Sequence, residues 1–187
     1  MTVRCHWAEG DPLMAAYHDM EWGVPLRDGR ALWEMLILEG FQAGLSWRTI
    51  LHRREGFRRA FDHFDPQRIA AYDQAKVEAL MQDEGIIRAR AKIEATIGNA
   101  RAYLRMIAEG EDFAAFIWSH VGGVPRMGDG EAIPASDATS LALSKALKAR
   151  SFKFVGSVTA YAFMQAVGMV NDHERACPRR AACAELS

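Results

Sequence analysis

The chain has 187 residues, half of them hydrophobic and a quarter charged, with a formal net charge of −1. That length suits one domain or two small ones and can bury a real core, and the near-zero charge means that any contact with nucleic acid must come from a local basic patch. The opening MTVRCHWAEGDP has no apolar signal region, no run of about 18 apolar residues exists, and the three cysteines are odd in number and widely spread, so a reducing cytoplasm is expected rather than a secretory signal, a membrane span or a disulfide framework.

Helical patterning runs almost throughout. Asp11-Pro12 reads as an N-cap with proline at the first helical position, opening LMAAYHDM. Asp28 caps a helix through LWEMLILEGFQ that ends at Gly44, and Ser46 caps WRTILHRREGFRRAF. Asp65-Pro66 repeats the start signal for QRIAAY, and Asp73 caps QAKVEALM. From about Ile87 to Ala108 a long helical pattern brings Ile93, Ile97, Ala100 and Leu104 round at steps of three or four. FAAFIWSH is a short apolar helix. GGVPRMGDGEAIP, residues 122 to 134, is the one clear loop, with four glycines and two prolines in thirteen residues. Asp137 or Ser136 caps ATSLALSKALKA, and a last helix covers about Ser157 to Val167. FKFV is the only strand-like run and is too short to anchor a sheet. The expected class is all-α, without repeats.

One acid stands out. At helical spacing Leu32, Leu36, Glu39 and Ala43 share a face, and three of these four are apolar. A carboxylate there gains a partner or shifts its pKa. It is either half of a structural ion pair or a group that awaits a ligand.

The two ends offer a metal set. His173 and Cys177 in NDHERACP are four apart, so one helical turn would put both on one side, and Cys5 and His18 stand near the N-terminus. Each pair alone also reads as a buried thiol and a surface histidine. Together two cysteines and two histidines form a closed tetrahedral zinc set with no open position, which is structural rather than catalytic. Cys183 and His6 are substitutes.

Large rings crowd the N-terminal third: Trp7, Tyr17, Trp22, Trp33, Phe41 and Trp47. Each can be core packing. Tyr17 and Trp22 sit among polar residues and also fit a cage for a flat or cationic ligand. Further on, Lys145, Lys148, Arg150 and Lys153 have no acid among them and precede a Val155-Gly156 turn that opens a helix. A charge run alone is a solvated face; followed by glycine and a helix start it becomes a candidate clamp for a DNA backbone.

The stretches RCHWAEGDPLMAAYHDMEWGVP, LILEGFQAGLSW, FDPQRIAAY, DEGIIRARAKIEATIGNARAYL, SKALKARSFKFVG and AFMQAVGMVNDHERAC resemble the bacterial 3-methyladenine DNA glycosylase I family. They run from Arg4 to Cys177. The resemblance implies a helix-hairpin-helix glycosylase core over 28–167, with the hairpin element at about 140–167. It also implies a zinc-binding lobe from 1–27 plus 168–187, with structural zinc on Cys5, His18, His173 and Cys177. It implies that Glu39 recognises an extruded base, that Tyr17 and Trp47 stack on it, and that Trp22 and Trp7 shape the pocket. Gly44 and Leu45 would enter the duplex where the base left, and Lys153 and Gly156 would grip phosphates. The expected activity is hydrolytic excision of 3-methyladenine from alkylated double-stranded DNA by a cytoplasmic monomer, releasing the free base. Met14 stands where many relatives carry an aromatic. In VNDH, Asn171 takes the place of the aspartate that many helix-hairpin-helix glycosylases carry. No lysine near the hairpin stands out as a Schiff-base nucleophile, so a monofunctional enzyme without strand cleavage is expected. Two other readings use the same residues: a zinc-stabilised DNA-binding module without activity, and a zinc hydrolase of small molecules.

Overall fold

The computed structural model describes residues 3–186, so the outermost residues of the two terminal segments, 1–2 and 187, lie outside the described residues. After a 3-10 turn at His6–Ala8 come α1 (Pro12–Met20), α2 (Gly29–Gln42), α3 (Trp47–Ala60), α4 (Pro66–Ala70), α5 (Gln74–Met81) and α6 (Arg90–Ala108). Then follow α7 (Phe113–Ser119), β1 (Arg126–Met127), α8 (Ala138–Ala149), α9 (Ser157–Ala166), β2 (Val170–Asn171) and α10 (Arg179–Ala184). No helix among the described residues is long and apolar enough to cross a membrane. The class is all-α apart from one parallel two-residue pairing of β1 with β2.

The helix starts follow local chemistry. Asp11, Asp28, Ser46, Asp65, Asp73, Asp112 and Asp137 each accept a first-turn N–H with the side chain. These bonds satisfy donors that a helix leaves orphaned. Asp137, not Ser136, caps α8, and it forms a reciprocal capping box with Ser140.

α2 lies at the centre. Leu32, Trp33, Leu36, Ile37, Leu38 and Phe41 are buried, and the helix packs against α3, α6, α7 and α9. A helix apolar on nearly every side must be enclosed on every side. Gly40 sits where a Cβ would stand 3.3 Å from the backbone oxygen of Phe154, so the absent side chain lets the turn between α8 and α9 seat directly on α2.

α6 braces two turns. Lys92 donates from Nζ to the carbonyls of Phe41 (2.8 Å) and Ala43 (2.6 Å) at the end of α2, where a cation complements the helix dipole. Two turns along, Asn99 accepts from the N–H of Lys153 (2.8 Å) and donates to its carbonyl (3.0 Å).

Four expectations are corrected. FKFV forms no strand: Ser151 and Phe154 take positive φ, and the backbone of Phe152 bonds back to Leu147 at the end of α8. The strand pairing is instead made by Arg126–Met127 with Val170–Asn171, inside the long loop and after α9. His173 and Cys177 lie on a turn rather than a helix, closed by Cys177 N–H to Glu174 carbonyl at 2.9 Å. The long helix begins at Arg90 rather than near Ile87, because a turn through Gly85 precedes it; a further helix, α10, occupies the tail.

Candidate active site and metal centre

α1, α2, α9 and the start of α3 enclose a cavity of about 190 Å³. Trp7, Tyr17, Trp22, Glu39 and Trp47 all line it, joined by Gln42, Ile133, Ala162 and Gln165. Trp7 meets Trp22 edge-on with ring centroids 5.0 Å apart, and Tyr17 lies tilted against Trp47 at 5.2 Å. Arg54 of α3 clamps Glu21 through two bonds of 2.6 and 2.8 Å, which fixes the end of α1 from which Trp22 projects. Met14 is buried and does not line the cavity.

Glu39 is only 4 % exposed and makes neither ion pair nor hydrogen bond among the described residues. Burial alone pushes its carboxyl up to about 8, because a charged form with no partner is disfavoured in a low dielectric. The Tyr17 hydroxyl is pushed well up by burial and by the neighbouring Glu39. An acid held neutral against an open, ring-lined space is poised for a cationic or hydrogen-bonding guest.

The turn between α2 and α3 points outward. Ala43 ends α2, Gly44 takes φ +80°, and Leu45 is 42 % exposed. Gln42 staples the turn, accepting the Leu45 N–H on its carbonyl (2.7 Å) and donating from Nε2 to the Leu45 carbonyl (3.1 Å). Leu45 is thus an apolar side chain held in solvent by a rigid turn.

Lys145 and Lys148 near the end of α8, and Lys153 on the α8–α9 turn, make no ion pair among the described residues. Arg150 does not belong with them: it pairs with Glu111 at 2.7 Å and lies 4.2 Å over the Phe116 ring. Gly156 caps α9 without a side-chain acceptor, so the first-turn N–H groups are left for an anion.

Packed against Trp7 and Trp22 of the cavity wall, ligand atoms of Cys5, His18 and Cys177 lie within 4.8 Å of one another, all buried. His173 is outside that group of three, but its ring stands edge-on to His18 with centroids 5.0 Å apart. Its buried Nε2 has no hydrogen-bond partner, while its Nδ1 is held by Asn171 Oδ1 at 2.9 Å. His18 is likewise oriented, by Asp19 on Nδ1 at 2.8 Å, and Arg4 fixes Asp19 in turn. Each imidazole keeps one nitrogen for orientation and one for a ligand. Asn171 is therefore occupied in aiming His173 and is not among the residues that line the cavity.

Sequence reasoning passed over Gln42, Ile133, Ala162 and Gln165. Gln165 carried a signal of the same kind as Glu39, a polar residue inside the apolar run AFMQAVG. Ile133 carried none, because its loop is drawn over the cavity by distant contacts: Arg175 N–H to the Gly130 carbonyl and Arg175 Nε to the Asp129 carbonyl, both 3.0 Å.

Comparison with known proteins gives one answer. The family model of methyladenine glycosylase matches residues 7–180. DNA-3-methyladenine glycosylase 1 of Escherichia coli is 55% identical over 177 residues, covering 93% of this chain and 95% of that protein. DNA-3-methyladenine glycosylase of Haemophilus influenzae is 49% identical over 181 residues, covering 95% and 98%. A crystal structure of 3-methyladenine DNA glycosylase I superimposes with a TM-score of 0.92 at 55% identity over 94% of this chain and 98% of the other. The structure of 3-methyladenine DNA glycosylase I from Staphylococcus aureus, described as the basis of its 3-methyladenine recognition, does so with 0.89 at 38% over 95% and 96%. With most of its length matched at this identity and fold, the chain belongs to the methyladenine glycosylase family.

Proposed function

We propose that the protein is a DNA-3-methyladenine glycosylase that takes the damaged base out of the duplex and hydrolyses its N-glycosidic bond in base excision repair. The observation that carries this reading is Glu39, buried and unpaired in a cavity walled by aromatic rings. A base inside a duplex cannot be reached, so it must be flipped at a cost of a few kcal/mol, less for a damaged base. N3-alkylated adenine in DNA is cationic, so the bond electrons pass to the base, which leaves neutral while water adds to the sugar carbon and gives up its proton to solvent. A good leaving group makes a strong general acid unnecessary.

In this reading Tyr17 and Trp47 stack on the base, Trp7 and Trp22 shape the pocket, and ionised Glu39 accepts from the exocyclic amine and complements the positive charge. Gly44 and Leu45 fill the gap in the duplex; Lys153 and the free N–H groups after Gly156 hold the backbone of the helix-hairpin-helix contact. With no lysine in the cavity wall, the reaction ends at an abasic site without strand cleavage.

We further propose that structural zinc is held by Cys5, His18, His173 and Cys177. Two thiols and two oriented imidazoles, one with an orphaned nitrogen, match a closed tetrahedral donor set. When bound, zinc ties the N-terminal segment to the C-terminal one, in a terminal lobe of 1–27 plus 168–187. A DNA-binding module without activity accounts for the basic turn but gives Glu39 and the rings no use.

The test is incubation of methylated double-stranded DNA with the purified protein and chromatography of the released bases. Release of 3-methyladenine with intact strands is expected. Absence of any released base, with the DNA still bound, would replace this reading with the module.

A further inference from the structure

The cavity has a second polar wall besides Glu39. Gln165 projects from α9, 9 % exposed, and lines the same space. Its Nε2 donates to Asp172 Oδ2 at 2.9 Å, and the Tyr161 hydroxyl donates to the same oxygen at 2.7 Å. Burial and the Asp172 charge hold the Tyr161 hydroxyl above its ordinary range, so it remains a donor. A carboxylate only accepts. Asp172 therefore fixes which way the Gln165 amide is turned: NH₂ toward Asp172, Oε1 away from it. That Oε1 accepts from no group among the described residues and is not sealed from solvent. The Gln165 backbone is also pinned, since its carbonyl accepts from Gly23 N–H at 3.2 Å beside Trp22.

We propose that Gln165, locked by Asp172 and Tyr161, is a specificity-determining residue whose Oε1 accepts from the 6-amino group of the bound purine and turns away 6-oxo purines. The inference rests on the glycosylase reading above. A 6-amino group has two N–H donors, enough for Glu39 and Gln165 together. A 6-oxo group would set one acceptor against another, and the amide cannot turn to relieve it, because turning would aim Oε1 at the Asp172 carboxylate. A free amide would accommodate both kinds of base; a locked one does not.

The probes are free 3-methyladenine and free 3-methylhypoxanthine, which replaces the 6-amino group by an oxo group. Binding is read by quenching of tryptophan fluorescence. Wild-type protein should bind the oxo base at least about tenfold more weakly, the order expected when a buried polar group is left unpaired. Gln165→Met should lose about tenfold in affinity for 3-methyladenine and little for the oxo base, so the two affinities converge. Equal binding of both bases by the wild type overturns the inference without recourse to any variant, and so does unchanged selectivity in a folded Gln165→Met protein. Failure of the wild type to bind 3-methyladenine at all would instead strike the glycosylase reading itself.

Discussion

Glu39 couples the site to proton concentration. Its carboxyl stands at about 8 in the folded chain against an ordinary 4.5, so between those values the native state holds a proton that the unfolded state has released. Stability from this group therefore falls as pH rises through that window and levels off above it. Glu39→Gln removes the titration. The variant should be more stable than wild type at pH of about 8, by roughly 1–3 kcal/mol more than at about 5, in paired denaturant titrations. Binding of a cationic lesion favours the ionised form, so it should expel that proton. Single-turnover excision, with enzyme in excess of the DNA but below saturation, should then rise from pH of about 6 to about 8 in the wild type, and be slower by tenfold or more and flat in Glu39→Gln. Identical profiles would remove Glu39 from base recognition. Glu39 was legible in the sequence because a buried charge is costly enough to look wrong on an apolar face. Gln165 obeys the same logic less loudly, since a neutral amide is cheaper to bury and AFMQAVG otherwise reads as plain core.

At the scale of elements, the helix starts and the long loop at 122–134 were legible, and the conformation of the non-helical segments was not. A cap is a contact between neighbours in sequence, so Asp11, Asp28, Ser46, Asp65 and Asp73 announced their helices directly. The turn that carries His173 and Cys177 is set by remote partners instead. Arg180 donates to the His173 carbonyl at 2.8 Å, and β1 pairs with β2 across more than forty residues, which helical spacing cannot anticipate. The basic run was half legible: its charges were visible, but the Glu111 that claims Arg150 lies far away in sequence. This leaves Lys153 as the charge best placed on the α8–α9 turn. Lys153→Ala should weaken DNA binding several-fold whatever the sequence, lower the slope of affinity against salt by about one, and leave affinity for free 3-methyladenine unchanged. An unaltered salt slope would take Lys153 out of the interface.

At the scale of the whole molecule, the proposed zinc would join Cys5 to Cys177 and so close nearly the full chain into one loop. The purified protein should contain about one zinc per chain, and chelation should lower its melting temperature by roughly 5–15 °C, because closure of so long a loop restricts the unfolded state. Metal loss that leaves the melting temperature unmoved would deny the ion a structural role. The brace of α6 has a consequence of a different kind. Lys92 holds the end of α2, and Asn99 holds Lys153; seven residues of helix put these two grips on one face, roughly 10 Å apart along the axis. The exposed apolar tip proposed to enter the duplex and the lysine proposed to meet the backbone are thereby mounted on one ruler, graduated in steps of about 1.5 Å, and each step turns the mount by about 100°. In the proposed complex this common mount sets how many base-pair steps lie between the point of insertion and the phosphate contact, so an insertion of one residue in α6 between Lys92 and Asn99 should disrupt DNA binding.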